Sequence, residues 1–436
     1  MNIVYISQYF PPEACAPAVR VDDFSRQWAS DGHQVTVVTG FPNHPEGVIH
    51  EEYRRYWRRG LHRERREGVS VYRTWLYPGA NRGYAGRAAS YASFALSAAA
   101  VAPWVAPRGA VVIATSPQLL VGAAGYLAAR LRRLPFVFEV RDLWPESLVG
   151  VGATNAGSGL YRVLDRLAKF LYRHADRIVV VGRRQRDALT DAGVDPAKIS
   201  VVMNGVDDSF GAAGGDRQRT RLELGLDGRF VVTYCGTIGM AHGLETLLGA
   251  AARLRDRTDI CFLVIGEGAE RERLLERIRT LRLHNVRYLG KQPHHKVPAC
   301  LAASDACLVL LRSCDVFKTA IPTKMFEAMA AAKPVILGAE GEARDILLSA
   351  QAGIAVPPEN EDQVAQAIVT LSQNRVIAEA LGENGQRAVR HDFSRKRQAA
   401  RYLNVLAETV ERYAQGRGGK AASTRASARY STANKP

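Results

Sequence analysis

The stretch "TAIPTKMFEAMAAAKPVIL" sets a lysine and a glutamate into a helix otherwise built of Ala, Met and Phe. Pro322 forces Ile321 out of helical geometry, so the helix is expected to start at Thr323 or Lys324, with Thr323 as its N-cap. A capping box would need its glutamate at position 326, which is Phe326; Glu327 lies one residue too far. Lys324 falls in the first turn, where a cation opposes the helix dipole, and an i,i+3 pair with Glu327 offsets only about 0.3 kcal/mol. One reading is a surface ion pair. The other is an anion held at the helix start by Lys324, with Glu327 taking a hydroxyl.

Two glycine-rich turns point to the same chemistry. "YCGTIGMAHGLETLL" places Gly236, Thr237, Gly239, His242 and Gly243 between a strand and a helix that opens near Leu244. Free N–H groups and the helix dipole there favour an anion, although the spacing fits neither the dinucleotide fingerprint nor a Walker A loop. "VIGEGAERERL" repeats the arrangement, with Gly266 and Gly268 around Glu267, and "YLGKQPHHKVP" carries Lys291 at another strand end. His294 and His295 are adjacent and lack the i,i+4 spacing of two ligands on one helix, so no metal is expected. In the first half, "FEVRDLWPES" sets Arg141, Asp142 and Glu146 at the carboxyl edge of a buried strand. "SQYFPPEACAPAVR" sets Ala16 and Arg20 just after the first one.

The elements that must position these residues form two series. "NIVYIS", "HQVTVVTG", "GAVVIAT", "PFVFEV", "DRIVVVG" and "ISVVMNGVD" are apolar runs separated by helical stretches, the pattern of a parallel sheet covered on both faces. The alternation restarts with "RFVVTYCG" and continues through "ICFLVIGEG", "VRYLG", "ACLVLLR", "PVILG" and "GIAVPP". The expected fold is α/β, two doubly wound domains whose strand ends face a shared cleft. Expected boundaries are a first domain over 1–207, a polar Gly-rich linker over 208–228, a second domain over 229–393, a closing helix over 394–413 and a disordered basic tail over 414–436.

At 436 residues the chain is long enough for two cores, and its net charge of +16 is unevenly placed. Seven arginines lie between Arg54 and Arg66 in "RRYWRRGLHRERREG", a charge that attracts anionic lipid, nucleic acid or phosphorylated substrates. The six cysteines form no CxxC pair and read as small buried hydrophobes in a reducing compartment. The N-terminus reads as a strand without a basic leader, so a cytoplasmic location is expected. "AASYASFALSAAAVAPWVAP" runs 20 residues without a charge, but its Ala/Ser content and Pro103 and Pro107 favour a buried or interfacial helix over a spanning one.

In order and spacing, "YFPPEACAPAVR", "FPNHPEG", "TWLYPGANRG", "FEVRDLWPES", "VVMNGVD" and "IPTKMFEAMAAAKPVI" make the chain resemble the retaining glycosyltransferases of family 4 over almost its whole length. It looks closest to their WbuB-like branch, which includes L-fucosamine transferases of O-antigen and capsule assembly. The resemblance implies the GT-B fold of two facing Rossmann-like domains and a nucleotide-sugar, UDP-linked, in the C-terminal one. It implies a lipid-linked, polyprenyl-diphosphate saccharide acceptor at the N-terminal domain, peripheral contact with an anionic membrane at the inner face of the plasma membrane, and no cofactor, metal or nucleic acid. Donor-binding positions are then Gly236, Thr237, Gly239, Glu267, Lys291, Thr319, Pro322, Thr323 and Glu327. Acceptor-binding ones are Ala16, Arg20 and Glu146, and catalytic ones Lys324, His242, Asp142 and Arg141.

The chain departs from the family at informative places. The Arg and Lys of its Gly-Arg-Leu-x-x-x-Lys-Gly loop are Thr237 and His242 here. The first glutamate of its Glu-x7-Glu pair is Thr319, the second is Glu327, and its His-Asp pair is Arg141-Asp142. Lys324, with His242 and with Arg20 or Arg141, is left to balance the leaving diphosphate. Two other classes fit parts of the pattern: a nucleotide-sugar epimerase of the same fold, which would isomerise donor alone, and a basic binding module, which lacks any RRM, KH or helix-turn-helix pattern.

Overall fold

The computed structural model describes residues 1–13, 15–79, 84–116, 118–150, 152, 154–207, 209–212 and 217–432. Strands β1 (Asn2–Ile6), β2 (Gln34–Gly40), β3 (Leu61–Arg66), β4 (Val69–Thr74), β5 (Val111–Thr115), β6 (Phe136–Val140), β7 (Arg177–Val180) and β8 (Ile199–Val201) form the first sheet. Its order is β3-β4-β2-β1-β5-β6-β7-β8, and every pair is parallel except β3 with β4. Strands β9 (Phe230–Cys235), β10 (Ile260–Ile265), β11 (Val286–Gly290), β12 (Ala306–Leu310), β13 (Val335–Gly338) and β14 (Gly353–Val356) form the second, ordered β11-β10-β9-β12-β13-β14 and wholly parallel. In both sheets the order reverses beside the first strand, which opens a crevice at the carboxyl ends.

Each sheet is buried on both faces. In the first, β5 and β6 have no exposed residue, and Val4, Val112 and Phe138 pack on one side while Tyr5, Ile113 and Val137 pack on the other. The second is built alike, with Val232 and Leu308 on one side and Val309 and Leu337 on the other. Fully buried parallel strands favour apolar residues on both faces, which is why these runs are near-continuous rather than alternating.

Three boundaries differ from expectation. The arginine-rich segment Arg54–Arg66 ends in β3, which is not among the expected strands, pairs antiparallel with β4 and alternates exposed and half-buried residues. Its arginines guard an edge strand that would otherwise pair with another chain. The helix Tyr84–Val105 begins before the uncharged segment and carries Pro103 inside it. It is long and apolar enough to cross a membrane.

The closing helix, expected to stop at 413, runs Arg395–Thr432. From Arg395 on, no proline interrupts the chain before its last residue, and the segment expected as a disordered tail is helical through Thr432. Residues 433–436, like 208 and 213–216 of the linker, lie outside the described ones. The linker also holds helices Ser209–Ala212 and Arg217–Glu223. Tyr402 and Leu406 of the closing helix pack with Phe24 and Trp28 of the first domain, so the chain returns to its starting domain after completing the second.

Candidate active site

The Lys324 helix spans Thr323–Ala330, and its N-cap is Pro322 rather than Thr323. No side chain caps it and no acid stands in its first turn, so its leading amides are free for an anion. Lys324 Nζ lies 2.9 Å from Tyr234 Oη, 3.4 Å from His242 Nδ1 and 4.3 Å from the Tyr234 ring centroid. Tyr234 is the next-to-last residue of β9; its hydroxyl donates to the Thr237 carbonyl at 2.6 Å and accepts from Lys324. A side chain on Gly236 would put its Cβ 3.3 Å from Lys324 Nζ. Thus the first glycine loop and the lysine form one feature, assembled from β9 and a helix about 90 residues further on.

The two glycine turns interlock. Gly266, at φ +147°, packs so closely that a Cβ there would strike the Gly236 carbonyl, and Ile238 N donates to the Glu267 carbonyl at 2.9 Å. The Glu267 side chain is exposed, 3.4 Å from Tyr288 Oη and 3.5 Å from an Arg271 nitrogen.

Electrostatics separate the expected roles. Burial pushes the Lys324 ammonium down to about 8, against the opposing pull of Cys235 and Glu327, so it is mostly charged at neutral pH. Burial and then the Lys324 charge push His242 down to about 3, while the Leu310 backbone favours its protonated form. His242 is therefore a neutral ring that accepts from Lys324 through Nδ1. The sequence expected His242 to donate to the leaving phosphate; as a neutral ring beside Lys324 it carries no charge of its own, because burial and the neighbouring ammonium disfavour a second cation in this corner. Burial raises Glu327, against Arg395 and then Lys324, so its carboxylate has two cations within electrostatic reach.

Glu327 and Thr323 line a cavity of about 130 Å³ between the domains with Ala16, Arg20, Asn204 and Arg395. The sequence assigned Ala16 to the acceptor and Glu327 to the donor; the fold brings them to one cavity. Arg20, only 6% exposed, is spent internally: it meets Glu139 at 3.0 Å and donates to Asn204 Oδ1, the Met203 carbonyl and the Val202 carbonyl. Burial alone would raise Glu139, but Arg20 and Arg141 hold it below the ordinary range. Arg20 is thus a structural cation, which corrects its expected place in substrate binding.

Arg141 stands at the end of β6, and its buried Nε and Nη1 have no hydrogen-bond partner among the described residues. Asp142 beside it is solvent-accessible, yet the protein around the cleft raises its pKa while Arg141 lowers it. Glu146 opens the short helix Glu146–Gly150, and its charge adds to burial in raising the Tyr161 hydroxyl within the same domain. Lys291 faces His44 of the first domain closely enough to help burial hold that histidine down. Thr319 ends the 3-10 turn Asp315–Thr319 and donates to the Val316 carbonyl at 2.8 Å, so its hydroxyl is used locally.

Sequence reasoning missed Tyr234, Arg395 and Glu139. Tyr234 left a signal, a polar-tipped aromatic near the carboxyl end of a mostly apolar strand. Arg395 left none, because it joins Glu327 at the cavity from the returning helix, where it pairs with Asp23 at 2.8 Å.

Comparison with known proteins adds the family. Residues 16–205 match the glycosyl transferase 4-like domain and residues 216–388 match the glycosyl transferases group 1. The chain is similar to the probable glycosyltransferase WbjE of Pseudomonas aeruginosa, 30% identical over 268 residues that take in 60% of this chain and 66% of that one. It is similar to the putative colanic acid biosynthesis glycosyl transferase WcaI of Escherichia coli, 25% identical over 397 residues, 87% of this chain and 95% of that one. HepE of Anabaena, solved in complex with UDP-glucose, has a TM-score of 0.70 at 17% identity, covering 94% of this chain and 100% of that one. Sucrose-phosphate synthase of Thermosynechococcus elongatus has a TM-score of 0.73 at 21% identity, covering 93% and 98%. At these identities the solved structures establish the fold, which is GT-B.

Proposed function

We propose that this chain, which belongs to the glycosyltransferases that join a 4-like domain to a group 1 domain, moves a sugar from a UDP-linked donor to a lipid-linked saccharide with retention at the anomeric carbon. The observation that carries this reading is Lys324: a charged lysine at the uncapped start of a helix, beside a glycine loop, with Glu327 one turn on. Such a corner suits a diphosphate that gains charge as the sugar leaves. The presence of UDP-glucose in the HepE structure and the naming of WcaI for colanic acid biosynthesis support a UDP donor and a surface-polysaccharide acceptor.

In the proposed reaction the donor diphosphate meets Lys324 and the amides around Gly236 and Gly239, and the ribose meets Glu327. Tyr234 and His242 hold Lys324 in place from below. The C–O bond to the β-phosphate breaks, the sugar passes through an oxocarbenium-like state, and the acceptor oxygen attacks from the same face. The departing β-phosphate takes the acceptor proton. Asp142 and Arg141 position the acceptor from the opposite wall. Side-chain charge and helix amides carry the electrostatic load in this scheme, so the reaction proceeds without a metal. By resemblance to the L-fucosamine branch, the sugar is of the N-acetylated amino-sugar class.

The membrane part of the proposal rests on the first domain. Leu96 and Trp104 of the helix Tyr84–Val105 are 74% and 85% exposed, and the arginines of Arg54–Arg66 lie in the same domain. Each cation near an anionic surface adds about 1 kcal/mol of attraction. The test is donor profiling: the purified chain is incubated with UDP-, GDP- and dTDP-sugars and a polyprenyl-diphosphate saccharide, and product is read by mass. Transfer from a UDP-sugar supports the proposal; isomerised donor without transfer sinks it.

A further inference from the structure

The helix Arg183–Asp191 begins just after β7, and it is capped by the other domain. Its N-cap is Gly182, which has no side chain to cap with, and its first turn contains no acid. The missing cap comes from Glu342: Arg183 N donates to Oε1 at 2.5 Å and Arg184 N to Oε2 at 2.9 Å. Glu342 is itself the first residue of the helix Glu342–Ser349 in the second domain. One carboxylate, 4% exposed, therefore sits between the positive ends of two helices from two domains. Gly182 makes the approach possible, since a Cβ there would strike Oε2. An outer contact, Arg184 Nη2 to Asp345 Oδ2 at 2.7 Å, flanks it.

The position of this contact gives it a consequence. The chain crosses between domains at Val206 and Ser394, where Val206 N donates to the Phe393 carbonyl at 2.9 Å and Arg395 N to the Val206 carbonyl at 3.1 Å. A crossing at one place leaves the domains free to rotate about it; contacts away from it do not, and the Glu342 cap is a hydrogen-bonded one beside the packing of Gly150 against Val316. On the first-domain side, Gln185 of the capped helix donates through Nε2 to the Arg141 carbonyl at 2.8 Å. On the other side, Gly341 packs against the backbone of Lys318, on the segment that leads through Pro322 to Lys324. The attachment thus joins the backbone that carries Arg141 to the backbone that carries Lys324.

We propose that Glu342 is an interdomain clasp, a positioning residue that sets the fraction of molecules with both walls of the cleft in register for transfer. Opening would replace its two amide donors with water, so the clasp is reversible. Loss of the clasp lowers the closed fraction, and apparent donor affinity falls in proportion. Saturating donor draws the domains together again, so KM rises while kcat is largely kept. A residue touching the reacting atoms would lower kcat instead.

Two variants test this. Glu342→Ala removes the clasp. Gly182→Ser supplies a cap from within the first domain and crowds Glu342 out, so the helix stays capped but unclasped. Small-angle scattering of the unliganded protein needs no substrate and reads closure even if the reading under Proposed function fails; the kinetic arm alone rests on that reading. The clasp predicts a larger radius of gyration for both variants, with donor KM raised about tenfold and kcat within threefold. In the double variant Gly182→Ser/Glu342→Ala the helix is capped, and a merely structural role predicts full recovery of KM and compactness. Such recovery, or a radius of gyration unchanged in both single variants, overturns the proposal.

Discussion

Replacing Lys324 with alanine is the sharpest test of the donor corner. Burial lowers its pKa from 10.5 to about 8. At about 1.4 kcal/mol per unit, holding the charged form in this corner costs roughly 3 kcal/mol before any ligand arrives. A diphosphate beside it offsets that cost, and more so as the leaving group gains charge. Losing the contact should therefore lower kcat by about a hundredfold or more, the scale of one transition-state charge contact.

The same lysine fixes a pH signature. It is charged below its pKa and discharges above it, so donor kcat/KM should fall as pH rises through about 8. Bound diphosphate stabilises the ammonium, which moves the corresponding limb of kcat to higher pH. Lys324→Arg cannot discharge in this range and should lose the alkaline limb while keeping partial activity. The assay is initial-rate release of the nucleoside diphosphate from pH 6 to 10 for the three proteins, each checked for folding by circular dichroism. A folded Lys324→Ala enzyme with kcat within threefold of the parent would refute the reasoning, as would an alkaline limb retained in Lys324→Arg.

Tyr234→Phe keeps the ring under Lys324 but removes its hydroxyl partner, so kcat should fall about five- to tenfold, near the roughly 1 kcal/mol worth of one ordinary hydrogen bond, in the same release assay. Arg20→Met strands the buried Glu139 and should destabilise the fold by roughly 3–5 kcal/mol in urea titration. Because Arg20 is spent inside its domain, turnover per folded molecule should stay within threefold; a hundredfold loss would return it to the active site. The parent protein should sediment with anionic vesicles less as salt rises, and Trp104→Asp should weaken that binding. Binding that ignores salt and the substitution would argue for an acceptor free of the membrane.

The sequence by itself determined the two parallel sheets, because strands buried on both faces are mostly apolar and β5, β6, β9, β10 and β12 read as near-continuous apolar runs, broken within β6 only by Glu139. It also singled out Lys324, Gly236 and Glu327 as candidate site residues, since a lysine in a helix's first turn is unfavourable unless an anion or a carboxylate answers it. The hairpin β3–β4 was illegible: its arginines mask a period of two that only pairing with β2 through β4 makes useful.

Local pattern could not assign charge states or partners, because those depend on residues far apart in sequence. Arg20 looks like a free cation until Glu139 is placed beside it, and His242 looks like a donor until Lys324 shares its desolvated corner. Gly182 reads as an ordinary turn glycine until Glu342, 160 residues later, fills the space it leaves. A residue's type limits what it can do, but burial and neighbouring charge decide which of those things it does, and both are properties of the packed chain.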